Sequence, residues 1–154
     1  MGFYVHSGTR ELWLPSLTVG FLYLDQVQAL ERAFRVKSGV ESSEADDIKI
    51  DAEVFGEFIK AVLRELQETN NGPLVGLSAG CIEVCLALNA KITGAWPTVP
   101  KGLEFLLAEA KNVMLPRANI GISLSLIDRT RRNWSIELPE KRPRSPGGDE
   151  SEDN

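Results

Sequence analysis

The most constraining feature of the sequence is a stretch over residues 74–93 that is apolar on nearly every side. Its strongly polar side chains before Thr93 are Ser78, Glu83, Asn89 and Lys91. Pro73 suits the first position of a helix and Gly94 suits the end of one, so the stretch predicts one long helix. Because a helix without a polar face is buried on most sides, the rest of the chain must surround it.

Three further stretches have the spacing of amphipathic helices. Apolar residues recur every three or four positions over residues 17–36, 54–66 and 103–114. Ser16 and Asp51 stand where the N-caps of the first and second of these helices are expected. The sequence therefore predicts three to four helices that pack together.

Short strands are expected in the N-terminal third of the chain. Residues 3–5 and 11–14 flank a turn that contains Gly and Ser. Ile48 and Ile50 stand on either side of Lys49 with the period of two that is typical of a strand. These segments give the N-terminal part of a small sheet.

A β-hairpin is predicted near the C-terminus, and it decides the fold class. Apolar residues alternate with smaller or polar ones over residues 120–126 and 134–138, and residues 128–133 suit a turn. Helices between terminal strands are typical of the α+β class. We therefore expect three to four helices packed on a small antiparallel sheet, formed by the N-terminal strands and this hairpin.

The chain has the length of one domain, which we expect over residues 1–138. Residues 139–154 contain three Pro, two Gly and eight charged residues, but no large apolar side chain. Such a segment cannot offset the entropy that ordering costs, so we expect a disordered charged tail.

The net charge and the acidic residues indicate which class of partner the sequence favours. A net charge of −5 argues against nucleic acid and anionic membranes, because both select basic faces. Residues 41–57 hold seven acidic side chains and one basic one, Lys49. This acidic segment is either a docking surface for a basic protein or a solvated connector. The sequence does not decide whether the chain forms a homo-oligomer. The residues we expect at such a docking surface are Glu41, Glu44, Asp46, Asp47 and Glu53.

Neither a metal site nor another cofactor is expected. Cys81 and Cys85 are four positions apart in the most apolar helix, where they are interpreted as buried core residues. With His6 they would supply three ligands, whereas a structural zinc takes four. Unpaired thiols favour a cytoplasmic location.

Membrane insertion is not expected from the sequence. Residues 73–88 are the most apolar run, fall short of the roughly 20 residues that span a bilayer, and contain Glu83. The N-terminus also lacks the basic and then apolar pattern of a secretory signal.

One motif suggests catalysis. Residues 76–80 match G-x-S-x-G, in which Ser78 would be the nucleophile of a hydrolase and His6 its base. The motif requires a buried strand directly before Ser78, and the sole His precedes the Ser, opposite to the usual chain order. Small residues at helix contacts explain the same pattern by packing.

The sequence resembles a family of small uncharacterised bacterial proteins over roughly residues 3–95. The resemblance lies at turns, caps and core positions, so it implies a shared fold, and it carries no catalytic residues. Its landmarks are Leu12, Trp13, Leu14, Pro15, Ser16, Val19, Gly20, Ser38, Gly39, Val40, Ile48, Lys49, Ile50, Asp51, Phe55 and Phe58.

Two functions follow from these patterns. The first is a non-enzymatic interaction domain, for example an acidic immunity protein that masks a basic toxin, since acidic partners are steered to basic sites. The alternative is a small serine hydrolase built on Ser78 and His6.

Deletion of residues 139–154 tests the predicted tail. Without an apolar anchor the segment contributes little to stability, so the truncated protein should melt within a few degrees of the full chain. Thermal denaturation of both proteins checks this, and a larger fall would show that the segment docks.

Overall fold

The computed structural model describes residues 2–43, 46–113 and 115. Within these residues four helices accompany four N-terminal strands, which confirms the α+β class. The elements in chain order are β1 (Tyr4–Ser7), β2 (Arg10–Trp13), α1 (Leu17–Phe34), β3 (Val40–Ser43), β4 (Asp47–Ile50), α2 (Ala52–Glu68), α3 (Gly72–Thr93) and α4 (Glu104–Ala110).

The four strands form one mixed sheet in the order β2-β1-β4-β3. Antiparallel pairs join β1 to β2 and β3 to β4, but β1 and β4 run parallel, with Val5 opposite Ile48. The prediction of an antiparallel sheet is therefore wrong at its centre. The cause is α1, which connects the two hairpins and lets the two central strands lie side by side in the same direction.

The described part of the chain contains one strand that the sequence does not predict. β3 lies where the sequence predicts only an acidic segment. The strand was not predicted because Glu41, Ser42 and Ser43 show no apolar alternation. The predicted hairpin over residues 120–138, like the tail over 139–154, lies outside the described residues, so both stay predictions.

The helices cover one face of the sheet, and α3 is the helix that α1, α2 and α4 all contact. It also contacts β2. The burial on most sides that the sequence predicts holds for its C-terminal part, whereas Leu77 near its N-terminus is 85% exposed. Its Ile82 and Leu86 are fully buried, as are Phe55 and Phe58 of α2. Side chains of the inner sheet face, Val5 among them, complete this core.

Both ends of α3 follow the sequence signals. The Asn71 side chain accepts a hydrogen bond from the Leu74 N–H, and Gly94 ends the helix with a φ of 79°. The helix is longer than the run 73–88, and by length and composition alone it could cross a membrane. Its most apolar window is 44% buried, against neighbouring elements of the same chain.

A small network of hydrogen bonds places the start of β3. The Glu31 carboxylate accepts from the N–H and the hydroxyl of Ser38, at 2.6 and 2.7 Å. The Ser38 hydroxyl oxygen in turn accepts from the Val40 N–H at 3.1 Å. Because Ser38 is fully buried, these bonds fix the path of the chain from α1 to β3.

Gly20 is required by the packing of α1 on the N-terminal strand. A Cβ at this position would lie 2.1 Å from the Phe3 ring, and Phe3 is buried. The absent side chain thus lets the ring lie directly on the helix, where it also meets Phe21 edge to face.

Asp51 is the N-cap of α2, as the sequence predicts. Its carboxylate accepts from the N–H groups of Glu53 and Val54, both at 3.1 Å. Replacement by Ala leaves these donors unpaired, so Asp51→Ala should lower the free energy of unfolding by about 0.5–2 kcal/mol.

Chemical denaturation of two variants measures this effect. Asp25→Ala makes the same substitution at an exposed position of α1 and should stay within about 0.5 kcal/mol of wild type. Equal losses for the two variants would contradict the capping role of Asp51.

Candidate functional site

The face of the sheet opposite the helices carries polar side chains from three neighbouring strands. Because strand side chains alternate between faces, partners in register share a face. Tyr4 pairs with Asp47 and His6 with Lys49, while Glu41 of β3 lies opposite Lys49. We call these five residues the outer sheet face.

His6 and Asp47 form the closest polar contact on the outer sheet face among the described residues. His6 Nε2 lies 2.9 Å from Asp47 Oδ2, and His6 Nδ1 lies 2.9 Å from the Gly8 carbonyl oxygen. The Tyr4 ring stacks on the imidazole with 5.3 Å between centroids. The contact between His6 and Asp47 joins β1 to β4, and the contact between His6 and Gly8 holds the turn after β1.

The partners of His6 select its charged form. A carboxylate and a carbonyl oxygen only accept hydrogen bonds, so both contacts are made when both ring nitrogens carry protons. The bond to Asp47 raises the pKa of His6 above its usual 6.5, and the bond to the Gly8 carbonyl adds to this. Both ring nitrogens thus make their contacts within the sheet and its first turn.

Four of the five acidic residues that were expected to bind a partner lie on β3, in the turn before β4, on β4 and on α2. Glu41 is exposed on β3, and Asp46 is exposed in the turn before β4 with a φ of 55°. Glu53 lies in the first turn of α2, and Asp47 is held by His6. Glu44 lies outside the described residues.

Ser78 does not have the position that the hydrolase alternative requires. Residues 74–77, where the preceding strand would have to be, are helical, and Ser78 follows them inside α3. Its side chain is buried, with 2% of its surface exposed. His6 lies on β1 with both ring nitrogens bonded elsewhere. The packing interpretation of residues 76–80 accounts for this arrangement.

Cys81 and Cys85 lie buried and unbridged in the core, as predicted. The Tyr23 hydroxyl lies 3.8 Å from the Cys85 sulfur. Contact with Cys81, together with burial, raises the pKa of Cys85 well above its usual value. A thiol that stays protonated is a poor nucleophile, which favours a packing role for Cys85, and Cys81 is also buried in the core.

Metal ligands do not gather in the described part of the chain. No three His, Cys, Asp or Glu side chains come close enough there to hold an ion. His6 and Asp47 alone would offer a metal two ligands, fewer than a protein zinc site uses.

The contact between His6 and Asp47 is the part of the site that sequence reasoning missed. The two residues are 41 positions apart, and no motif spacing joins them. The signal that could have found the pair is the parallel register of two short strands, which places His6 diagonally opposite Asp47.

The fold and site define a class: an α+β domain whose four-stranded mixed sheet is covered by helices on one face and presents charged side chains on the other. The chain belongs to DUF6086, a family of unknown function, whose pattern matches residues 1–146. The match confirms the resemblance to an uncharacterised family and extends it beyond residue 95. Among curated proteins and solved structures, none matches the chain.

The raised pKa of His6 makes stability depend on pH. A folded-state pKa above the unfolded one gives stability that is complete below about pH 6.5 and is lost as the pH rises through the folded value. The free energy of unfolding of wild type should therefore exceed that of His6→Gln by on the order of 1 kcal/mol at low pH. The difference should be smaller above the pKa that His6 has in the folded protein.

Unfolding curves from pH 5.5 to 8.5 test this, with an NMR titration of His6, the sole His of the chain. Asp47→Asn removes the acceptor charge, so it should lower the pKa of His6 toward 6.5. Parallel pH profiles for wild type and His6→Gln would contradict the assignment.

Proposed function

We propose that the protein is a non-enzymatic interaction domain that binds a basic protein partner along β3 and the turn into β4. The observation that carries this proposal is that β3 is an edge strand of the sheet that the described residues form, with exposed side chains and acidic neighbours. Edge strands with open backbone groups are ready to pair with a strand from another chain.

Within the described part of the chain, the register of β3 turns the backbone groups of alternate residues away from β4. The Gly39 carbonyl accepts from the Asp51 N–H at 2.9 Å, so the backbone of Gly39 faces β4. Because peptide groups of a strand point alternately to either side, Glu41 and Ser43 also face β4, and Ser42 faces outward. A partner strand would therefore bond to the N–H and carbonyl of Ser42.

The opposite edge of the sheet is already engaged. Lys91 Nζ of α3 donates to the Leu12 carbonyl of β2 at 2.8 Å. The Arg10 side chain donates to the Ile92 carbonyl at 3.4 Å. Since α3 covers β2 in this way, β3 is the better edge for a partner.

Charge favours a basic partner over a second copy of the chain. Glu41 and Asp46 are exposed beside the open edge, and the carboxylate of Glu53 follows on α2. Two such edges from two copies would bring like charges together, which costs free energy. A partner rich in Lys and Arg would instead be steered toward this edge.

One class of partner with this chemistry is a basic toxin, and the protein would then be its immunity protein. Support for this role consists of the net charge of −5, the small size of the chain and the acidic open edge. The hydrolase alternative receives no comparable support, because Ser78 is buried within a helix.

A charge-neutralising pair of substitutions tests the proposed edge. Glu41→Gln with Asp46→Asn removes two negative charges, and Asn tolerates the positive φ of position 46. Association with a captured basic partner should slow by about tenfold at low salt and depend less on salt, because exposed charges act mainly on the on-rate.

The matched control is Glu65→Gln with Glu68→Gln, which removes the same charge from the C-terminal end of α2. Association kinetics at two salt concentrations separate a local effect from one of net charge. Equal rates for both double variants would contradict a docking role of Glu41 and Asp46.

Ser42→Pro tests strand pairing separately from charge. Proline is tolerated on an edge strand where the N–H faces solvent, so the variant should fold and melt near wild type. It removes one donor that a partner strand would use, and partner binding should weaken at every salt concentration. Unchanged binding would contradict pairing along β3.

A further inference from the structure

A cavity of about 600 Å³ lies between α2, the C-terminal half of α3 and the segment 95–98. Ile59 and Leu63 of α2 supply apolar walls, and Trp96 and Pro97 line the side formed by the segment. The volume falls within the range of pockets that hold small molecules. This cavity involves neither β3 nor the outer sheet face.

Asn89 is the buried polar side chain that borders the cavity. It is 7% exposed, and its Oδ1 is buried without a hydrogen-bond partner among the described residues. A buried acceptor without a donor is costly, whereas Leu would fill the same place in an otherwise apolar helix at no such cost. The position therefore suits a ligand that supplies the missing donor.

The neighbouring hydroxyl cannot serve Asn89 as that donor. Thr93 Oγ1 lies 3.0 and 2.9 Å from the backbone carbonyl oxygens of Asn89 and Ala95, and its single proton is donated to one of them. It also accepts from the Ala95 N–H at 3.3 Å. With this hydroxyl engaged, the Asn89 amide is the buried polar side chain of the lining that is available to a ligand.

The charge of the lining points to a neutral ligand. Lys60 is the charged residue of the lining, and its ammonium lies 2.8 Å from the Glu57 carboxylate at the exposed surface. A ligand with a full charge would thus enter the cavity without a free counter-charge. The Trp96 ring, 42% exposed, offers an aromatic surface to a flat molecule.

We propose that this cavity binds an uncharged aromatic or heteroaromatic molecule with an amide-type edge, whose donor bonds to Asn89 and whose ring lies against Trp96. A primary amide side chain offers one acceptor and two donors, so it pairs with ligands that present the complementary groups side by side. Nucleobases and aromatic carboxamides have this chemistry.

A matched series of probes tests the proposal on the full chain. Benzamide and nicotinamide carry the amide edge, toluene has the ring alone, and benzoate has the ring with a charge. We expect benzamide to bind at least about tenfold more tightly than toluene or benzoate. Chemical shifts of the Trp96 indole N–H report each binding constant.

Two variants assign the selectivity to single residues. Asn89→Leu should remove the preference for benzamide over toluene and should not lower the melting temperature, because it replaces an unpaired polar group. Asn70→Leu makes the same change at an exposed position and should bind like wild type. Trp96→Ala should weaken every probe that wild type binds, which ligand-observed NMR would show.

Several results would overturn the proposal. Toluene binding as tightly as benzamide to wild type would show an apolar cavity without polar selection, and this comparison needs no variant. Retained preference for benzamide in Asn89→Leu would exclude Asn89 as its partner. Absence of binding by both amides at millimolar concentration would exclude the ligand class.

Discussion

Burial of α3 is the constraint on which the other elements depend. Its apolar surface runs around most of the helix, so α1, α2, α4 and β2 each contribute contacts to it. One polar side chain of α3 also joins the helix to its neighbours. Lys91 donates to the carbonyls of Leu12 and Leu115, which ties the helix to β2 and to the chain after α4.

Helices were the predictable part of this fold, because their signals are local. Spacing and caps identified α1 from Leu17 and α2 after Asp51 nearly residue by residue. α3 and the buried thiols followed from apolar composition. The direction of β4 and the existence of β3 could not be predicted in the same way, since pairing partners decide both, and Glu41-Ser42-Ser43 has no apolar face.

The candidate sites could not be predicted from local sequence patterns alone. Exposure of acidic residues around Glu41 could be expected from composition, but their place beside an open edge could not. His6 and Asp47 meet through strand register, and the cavity at Asn89 exists because α2, α3 and the segment at Trp96 leave space between them. Such features arise from tertiary packing, which periodicity does not encode.

The parallel pair of β1 and β4 has a consequence for the order of folding. Each hairpin joins strands close in sequence, whereas His6 and Asp47 are 41 positions apart. Closing such a distance before native contacts form is entropically costly, so local helices and hairpins are expected to form first. In this order of folding, docking of the two hairpins would complete the sheet, and α1 would be the tether that keeps their effective concentration high.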